Sequence, residues 1–84
     1  MKRQYTVVLL PDAEDGGYVV TVPALPGCVT QAETVEEALR HAKEVIELYL
    51  EEALANQDYI PVESHPPTIT SVEVEVQAEA HSAA

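Results

Sequence analysis

Alternating apolar residues in the first third of the chain predict three β-strands. Residues 4–10 (QYTVVLL) are β-branched or apolar on both alternating faces, which is typical of an interior strand. Turn residues fill positions 11–17, and residues 18–22 (YVVTV) then predict the second strand of a hairpin. Prolines interrupt the pattern next, so that residues 28–31 leave room for a short third strand.

A long helix over residues 35–55 is the clearest element that the sequence predicts. Apolar residues recur there at spacings of three and four, which builds one continuous apolar stripe. Thr34 and Glu37 match a capping box, in which the threonine hydroxyl accepts a hydrogen bond from the Glu37 amide and Glu37 reaches back. Asn56 is the residue expected to take the left-handed conformation that ends the helix.

A fourth strand is predicted after the helix. Residues 57–67 contain three prolines and predict a connection, whereas residues 68–77 alternate strictly through valines at 72, 74 and 76. Glutamates at 73 and 75 point the other way, so this strand is expected to have one buried and one acidic face. Residues 78–84 have no pattern and predict a flexible tail, which leaves residues 1–77 as a single domain.

This order of elements, βββαβ, predicts an α+β fold with one long helix packed on one face of a mainly antiparallel sheet. A lone helix covers only one face of a sheet. The first two strands carry valines and leucines on the other face as well. We therefore expect a homo-oligomer, a dimer or a tetramer, in which another copy covers that face.

The composition argues against several classes of function. The 84 residues include 15 Asp and Glu but only 4 Lys and Arg, which gives a net charge of −11. Such a chain repels nucleic-acid phosphates and anionic lipids, so we expect no direct binding to nucleic acid or to a membrane. No segment is long and apolar enough to span a bilayer, and one cysteine cannot form an intrachain disulfide. A cytoplasmic protein is the resulting expectation.

No arrangement of residues predicts an enzyme. Catalysis requires a nucleophile with a base, paired carboxylates or metal ligands on rigid elements. Cys28 has no basic neighbour in the sequence and is expected to be a small buried apolar residue. The three histidines lack the spacing of metal ligands. We expect no catalytic residue, metal or cofactor.

Negative charge is concentrated in the second half of the chain. Lys43 is the last basic residue, and nine acids follow it. This distribution either keeps a small apolar domain in solution or provides a docking surface for a basic partner. The candidate partner-binding residues, chosen for charge and expected exposure, are Glu44, Glu47, Glu51, Glu73 and Glu75.

Several motifs together resemble the N-terminal domain of HicB-type antitoxins. They are GGYVVTVP at 16–23, LPGCVT at 25–30, TVEEAL at 34–39, AKE at 42–44 and IPV at 60–62. The combination is far more specific than any single piece, and it covers about residues 3–77. The motif positions to which the resemblance assigns a structural role are Gly16, Gly17, Tyr18, Pro23, Pro26, Gly27, Cys28, Thr34 and Glu37.

The resemblance implies a partial ribonuclease-H-like βββαβ fold and a protein-binding role. HicB proteins neutralise HicA, a small basic toxin that cleaves messenger RNA, by covering its active site. Catalysis is not implied, since no set of metal-binding carboxylates can be matched here. Many HicB proteins continue into a DNA-binding domain that this sequence lacks, so operator binding by this chain alone is not expected. The alternative is an orphan oligomeric binding or regulatory module without a cognate toxin.

Overall fold

A computed structural model describes residues 3–77, which contain a three-stranded sheet followed by a long helix. The elements are β1 (Val8–Pro11), β2 (Tyr18–Thr21), β3 (Val29–Ala32) and α1 (Val35–Ala55). The strand order is β1-β2-β3, and both strand pairs are antiparallel. The predicted α+β fold, with one long helix on one face of an antiparallel sheet, is confirmed.

A tight loop with two glycines joins β1 to β2. The Asp12 amide donates to the Gly17 carbonyl at 2.9 Å, and the Gly16 amide donates to the Asp12 carbonyl at 2.9 Å. Gly17 has a φ of 71°, and a Cβ atom on it would collide with the carbonyl oxygen of Ala32. Only glycine satisfies both requirements, because other residues rarely adopt this φ and all carry a Cβ.

The two faces of the sheet differ in their surroundings. Leu9, Val20 and Thr30 are aligned across the three strands, and Val20 is fully buried under α1. The neighbouring residues on each strand point to the opposite face of the sheet. On that face Leu10 and Val29 are each about half exposed. In the described chain the helix thus covers one face, and apolar side chains remain exposed on the other.

The start of α1 follows the predicted cap with one difference. The Glu37 amide donates to Thr34 Oγ1 at 3.1 Å, as a capping box requires. The Glu37 carboxylate, however, accepts from the amide of Glu33 at 3.2 Å, one residue before the cap. His41 Nδ1 lies 2.7 Å from the Gln31 carbonyl oxygen, so this first stretch of the helix is also tied to β3.

The end of α1 corrects a detail of the sequence-based expectation. Asn56 has a φ of −91° and is not left-handed; Gln57 takes that conformation with a φ of 57°. The Gln57 amide donates to the Leu54 carbonyl at 3.1 Å, and the Asp58 amide donates to the Ala53 carbonyl at 2.8 Å. These two bonds form a Schellman motif, in which the left-handed residue is the one after the C-cap.

The core consists of two adjoining clusters between α1 and the sheet. Alanines on the first half of α1 pack against β2 and β3, where their small side chains let the helix approach closely. The second cluster surrounds Leu25, which is 1% exposed and packs with Val22 and Cys28 below the second half of α1. Two turns place Leu25 there: the Leu25 amide donates to the Val22 carbonyl, and the Cys28 amide donates to the Leu25 carbonyl, both at 3.0 Å.

The fourth predicted strand is absent, and this part of the prediction is wrong for the single chain. Residues 68–77 form no regular secondary structure, and every residue from 64 to 77 is exposed. A strand requires a neighbour for its backbone hydrogen bonds and a surface for its apolar face, and here residues 68–77 have neither. The predicted tail at 78–84 lies outside the described residues, and the single-domain boundary at residue 77 stays a prediction.

Candidate partner-binding surfaces

Three of the five candidate glutamates form a stripe on α1. Glu44, Glu47 and Glu51 are spaced by three and four residues, so they share one face of the helix. All three are exposed, whereas the buried residues of α1 (Ala38, Ala42 and Ala53) lie on the opposite side. The acidic stripe is about 10 Å long, since a helix rises about 1.5 Å per residue.

The local charge of this helix face remains negative. Lys43 Nζ lies 2.9 Å from Glu47 Oε2, but both side chains are more than half exposed, so the ion pair contributes little to stability. The last turn of α1 contains no basic residue. Because the C-terminal end of a helix carries partial negative charge, Glu51 and Glu52 add to a field of the same sign. The second half of α1 is therefore the strongly electronegative side of the helix.

Glu73 and Glu75 lie on a different part of the molecule. They belong to residues 64–77, which we call the arm and which are exposed throughout. The fold places these two glutamates on neither the helix nor the sheet. The five candidates therefore form two acidic surfaces on separate segments instead of one continuous patch.

The residues of the recognised motif lie where the chain turns or begins an element. Gly16 and Gly17 form the first hairpin loop, and Tyr18 begins β2 with its side chain against the first core cluster. The other motif positions are Pro23, Pro26, Gly27 and Cys28 around the loop that carries Leu25, and Thr34 and Glu37 at the start of α1. Cys28 is buried, as expected, and burial raises the pKa of its thiol above the ordinary value.

A polar clasp that sequence reasoning missed fastens the chain after the helix. Glu63 accepts from the Thr6 amide at 2.7 Å with one carboxylate oxygen, and from the Thr6 hydroxyl with the other. Next to it, the Tyr5 hydroxyl donates to the Pro61 carbonyl at 2.7 Å. The partners are more than 50 residues apart in the chain, so no local pattern indicates the pairing.

An apolar groove, also missed, runs between the start of the chain and the second half of α1. Its volume is about 570 Å³. Apolar side chains of Tyr5, Ile46, Leu50, Leu54 and Ile60 form its walls. The charged residues along it are Arg3, Lys43 and Glu47. The apolar stripe predicted for the helix contains Ile46, Leu50 and Leu54, but no local pattern indicates that Tyr5 and Ile60 lie beside them.

Residues 3–77 contain neither a cluster of possible metal ligands nor a helix that could span a membrane. Within this range no three His, Cys, Asp or Glu side chains come together as possible metal ligands. The single helix in the same range is too polar to cross a membrane. The exposed features of this part of the chain are the acidic stripe, the arm and the apolar groove.

These features define a small α+β protein with an exposed acidic helix face and an apolar groove, and comparison with known proteins identifies its family. Residues 5–81 match the model of the HicB-like antitoxin of bacterial toxin-antitoxin systems. The chain belongs to the HicB-like antitoxin family.

Similar proteins occur in archaea and cyanobacteria. A UPF0150 protein of Thermoplasma acidophilum is 52% identical over 58 residues, which are 69% of this chain and 83% of that protein. One from Archaeoglobus fulgidus is 54% identical over 48 residues, covering 57% of this chain and 68% of the relative. Another from Synechocystis is 44% identical over 59 residues, or 70% and 73% of the two chains.

Proposed function

We propose that this protein is an antitoxin that binds a small basic HicA-type toxin in the cytoplasm and blocks its cleavage of messenger RNA by covering the active site. The family match over residues 5–81 carries this proposal. The antitoxin acts by protein contact and contributes no catalytic group or cofactor.

The acidic stripe on α1 is the proposed docking face for the toxin. Glu44, Glu47 and Glu51 are exposed on one face of a rigid helix, so they can meet basic side chains without a change in the fold. Complementary charge accelerates association and excludes partners of the same sign, and the net charge of −11 extends this attraction over the whole chain. Glu73 and Glu75 supply a second acidic surface on the arm.

A homo-oligomer, a dimer or a tetramer, is the proposed form of the antitoxin. Apolar side chains are exposed on the uncovered sheet face, where Leu10 and Val29 are about half exposed, and along the arm. A small domain buries too little surface alone to leave such side chains in water without loss of stability.

Charge-neutralising variants test the docking face. The triple variant Glu44→Gln, Glu47→Gln, Glu51→Gln is compared with Glu14→Gln, Asp15→Asn, Glu33→Gln, which removes three exposed negative charges at the other end of the molecule. The probe is a purified small basic HicA-type toxin, and its affinity for each variant is measured by calorimetry at low and high salt. We expect the helix variant to lose about tenfold or more in affinity at low salt and the control about twofold or less.

An assay of messenger-RNA cleavage completes the test. Wild-type antitoxin is expected to protect the RNA at equimolar concentration, and the helix variant is expected to need an excess. Equal losses in the two triple variants would refute the docking face, while unchanged RNA cleavage in the presence of wild-type protein would refute the antitoxin function itself.

A further inference from the structure

We propose that the arm of one copy lies in the apolar groove of a second copy, and that the reciprocal exchange of two arms joins the oligomer. The inference rests on the self-association part of the proposed function and adds the segment and the surface that produce it. Three observations carry it: the exposed valines of the arm, the direction of the arm away from its own body, and the character of the groove.

The arm exposes a stripe of valines. Val72, Val74 and Val76 are between 71% and 83% exposed, and their spacing of two puts them on one side of an extended chain. Such a stripe is unfavourable in water and is typical of a strand that completes its burial on another surface. The glutamates between the valines keep the opposite side of the arm polar.

The arm stands away from the rest of its own chain. The radius of gyration is 17.0 Å and the longest dimension is 57 Å, whereas a compact domain of this length has a radius of gyration of about 11 Å. Glu63 fixes the base of the arm at Thr6, and Pro66 and Pro67 then hold the backbone extended. The arm is thus held at one end and is presented to another molecule.

The groove is an apolar surface that suits the valine side of the arm. Leu50, Leu54 and Ile60 supply an apolar floor for the valines. Arg3 and Lys43, two of the four basic residues of the whole chain, lie along it. Glu47 also lies along the groove and is paired with Lys43 at 2.9 Å, so the charged residues there carry only a small net positive charge. When the valines face the apolar floor, Glu73 and Glu75 point away from it, and the acidic arm meets less repulsion here than along the acidic stripe.

The length of the groove matches the valine stripe of the arm. Between Lys43 and Leu54 the groove follows α1 for about 16 Å, which is the length of about five extended residues. Five residues are the span from Val72 to Val76. Each chain has one arm and one groove. A twofold axis that places the arm of one chain in the groove of its partner therefore also places the partner's arm in the first groove.

Matched charge insertions test the two halves of the contact by light scattering after gel filtration. Val74→Asp in the arm is paired with Ser71→Asp, which adds the same charge on the polar side of the arm. Leu54→Asp in the groove is paired with Leu48→Asp, an equally exposed leucine elsewhere on α1. We expect the arm and groove variants to fall to half of the wild-type mass or less, while both controls keep it. All four positions are exposed, so circular dichroism should show the same helix content throughout.

Disulfide trapping distinguishes exchange between chains from a contact within one chain. A Val74→Cys chain and a Leu54→Cys chain, both with Cys28→Ala, are mixed and oxidised, with Ser71→Cys and Leu48→Cys as the control pair. The expected result is a covalent dimer that contains one chain of each kind, formed only by the first pair.

The possible failures are separable. A wild-type protein with the mass of one chain would refute self-association and the exchange together. An oligomer that keeps its mass in the Val74→Asp and Leu54→Asp variants would refute the exchange alone. A disulfide formed inside a single chain that carries both Val74→Cys and Leu54→Cys, without crosslinked dimers in the mixture, would show that the arm folds into its own groove and would also refute the exchange. Binding of the basic toxin to the valine side of the arm, in place of a second copy, would do the same.

Discussion

Strand β2 and the arm have similar sequence patterns, but β2 is buried in the sheet and the arm is exposed. Both have valine at every second position, at 20 and 22 in YVVTV (18–22), which contains β2, and at 72, 74 and 76 in VEVEV (72–76). Val20 of β2 is fully buried between β1, β3 and α1, whereas Val74 of the arm is 71% exposed. The comparison shows that an alternating pattern encodes the ability to form a strand, and that a neighbouring strand is needed to realise it.

The largest expected difference between the two regions is in core stability. Leu25→Ala removes a side chain that is 1% exposed, and we expect the free energy of unfolding to fall by about 3 kcal/mol because a cavity remains. Val74→Ala should change it by about 0.5 kcal/mol or less when the protein is dilute. Urea denaturation at several protein concentrations measures both. Only the arm variant should show an effect that grows with concentration; a concentration-independent loss of several kcal/mol for Val74→Ala would contradict the distinction.

The hairpin loop before β2 gives the next largest effect. Gly17→Ala places a Cβ atom against the Ala32 carbonyl and keeps an unfavourable φ, so we expect a loss of about 2 kcal/mol or more. Gly16→Ala is the matched control, because it has a similar φ of 78° but nothing within 4 Å of the new Cβ; its loss should be about 1 kcal/mol. Thermal unfolding measures the two variants, and equal losses would show that β3 does not limit the space at Gly17.

The clasp between Glu63 and Thr6 lies directly before the arm. We expect its loss to lower the free energy of unfolding by less than Gly17→Ala does. Glu63→Ala removes the acceptor of two Thr6 hydrogen bonds, and we expect a loss of about 1–2 kcal/mol. The control Glu75→Ala, on the exposed arm, should be neutral within about 0.5 kcal/mol. Proteolysis near residues 57–63 should be faster in Glu63→Ala. Unchanged digestion and stability would show that the segment is held without the clasp.

The smallest expected effect is a change in how stability depends on pH, and it comes from the buried thiol of Cys28. Burial raises the Cys28 pKa, so the folded state holds its proton more tightly than the unfolded state does. Stability from this group is therefore complete below the unfolded pKa and declines as the pH rises above it toward the folded value. Urea midpoints from pH 7 to pH 10 should fall slightly more in wild type than in Cys28→Ala. Identical pH profiles would indicate that burial does not perturb the thiol.

Local interactions explain why the helix was predictable to the residue. Its period, the Thr34 cap and its length depend on contacts within a few positions of the chain, and the observed bounds Val35–Ala55 equal the predicted ones. The left-handed residue after the helix is Gln57 and not the predicted Asn56, an error of one position. The bounds of the strands were predicted less accurately, because a strand extends only as far as its pairing with a neighbour. The pairing of β1 with β2 begins at Val8, so β1 begins there and not at the predicted residue 4.

The candidate site divides in the same way. Exposure of Glu44, Glu47 and Glu51 on one face follows from helical periodicity alone, and the structure agrees with that placement. The separation of these residues from Glu73 and Glu75 does not follow from helical periodicity, because it depends on whether the final segment joins the sheet. The clasp and the apolar groove were not predictable, since each joins residues about 40 or more positions apart.

The sequence by itself determined the class of fold, the order of the first four elements, the helix with its cap, and the strong negative charge of the second half. These properties are local or additive, so each residue contributes independently of distant parts of the chain. Tertiary structure alone decided which alternating segments became strands, which acids share a surface, and where Glu63 anchors the arm. Those outcomes require distant residues to meet, and a segment such as the arm stays exposed when its own chain offers no neighbouring strand.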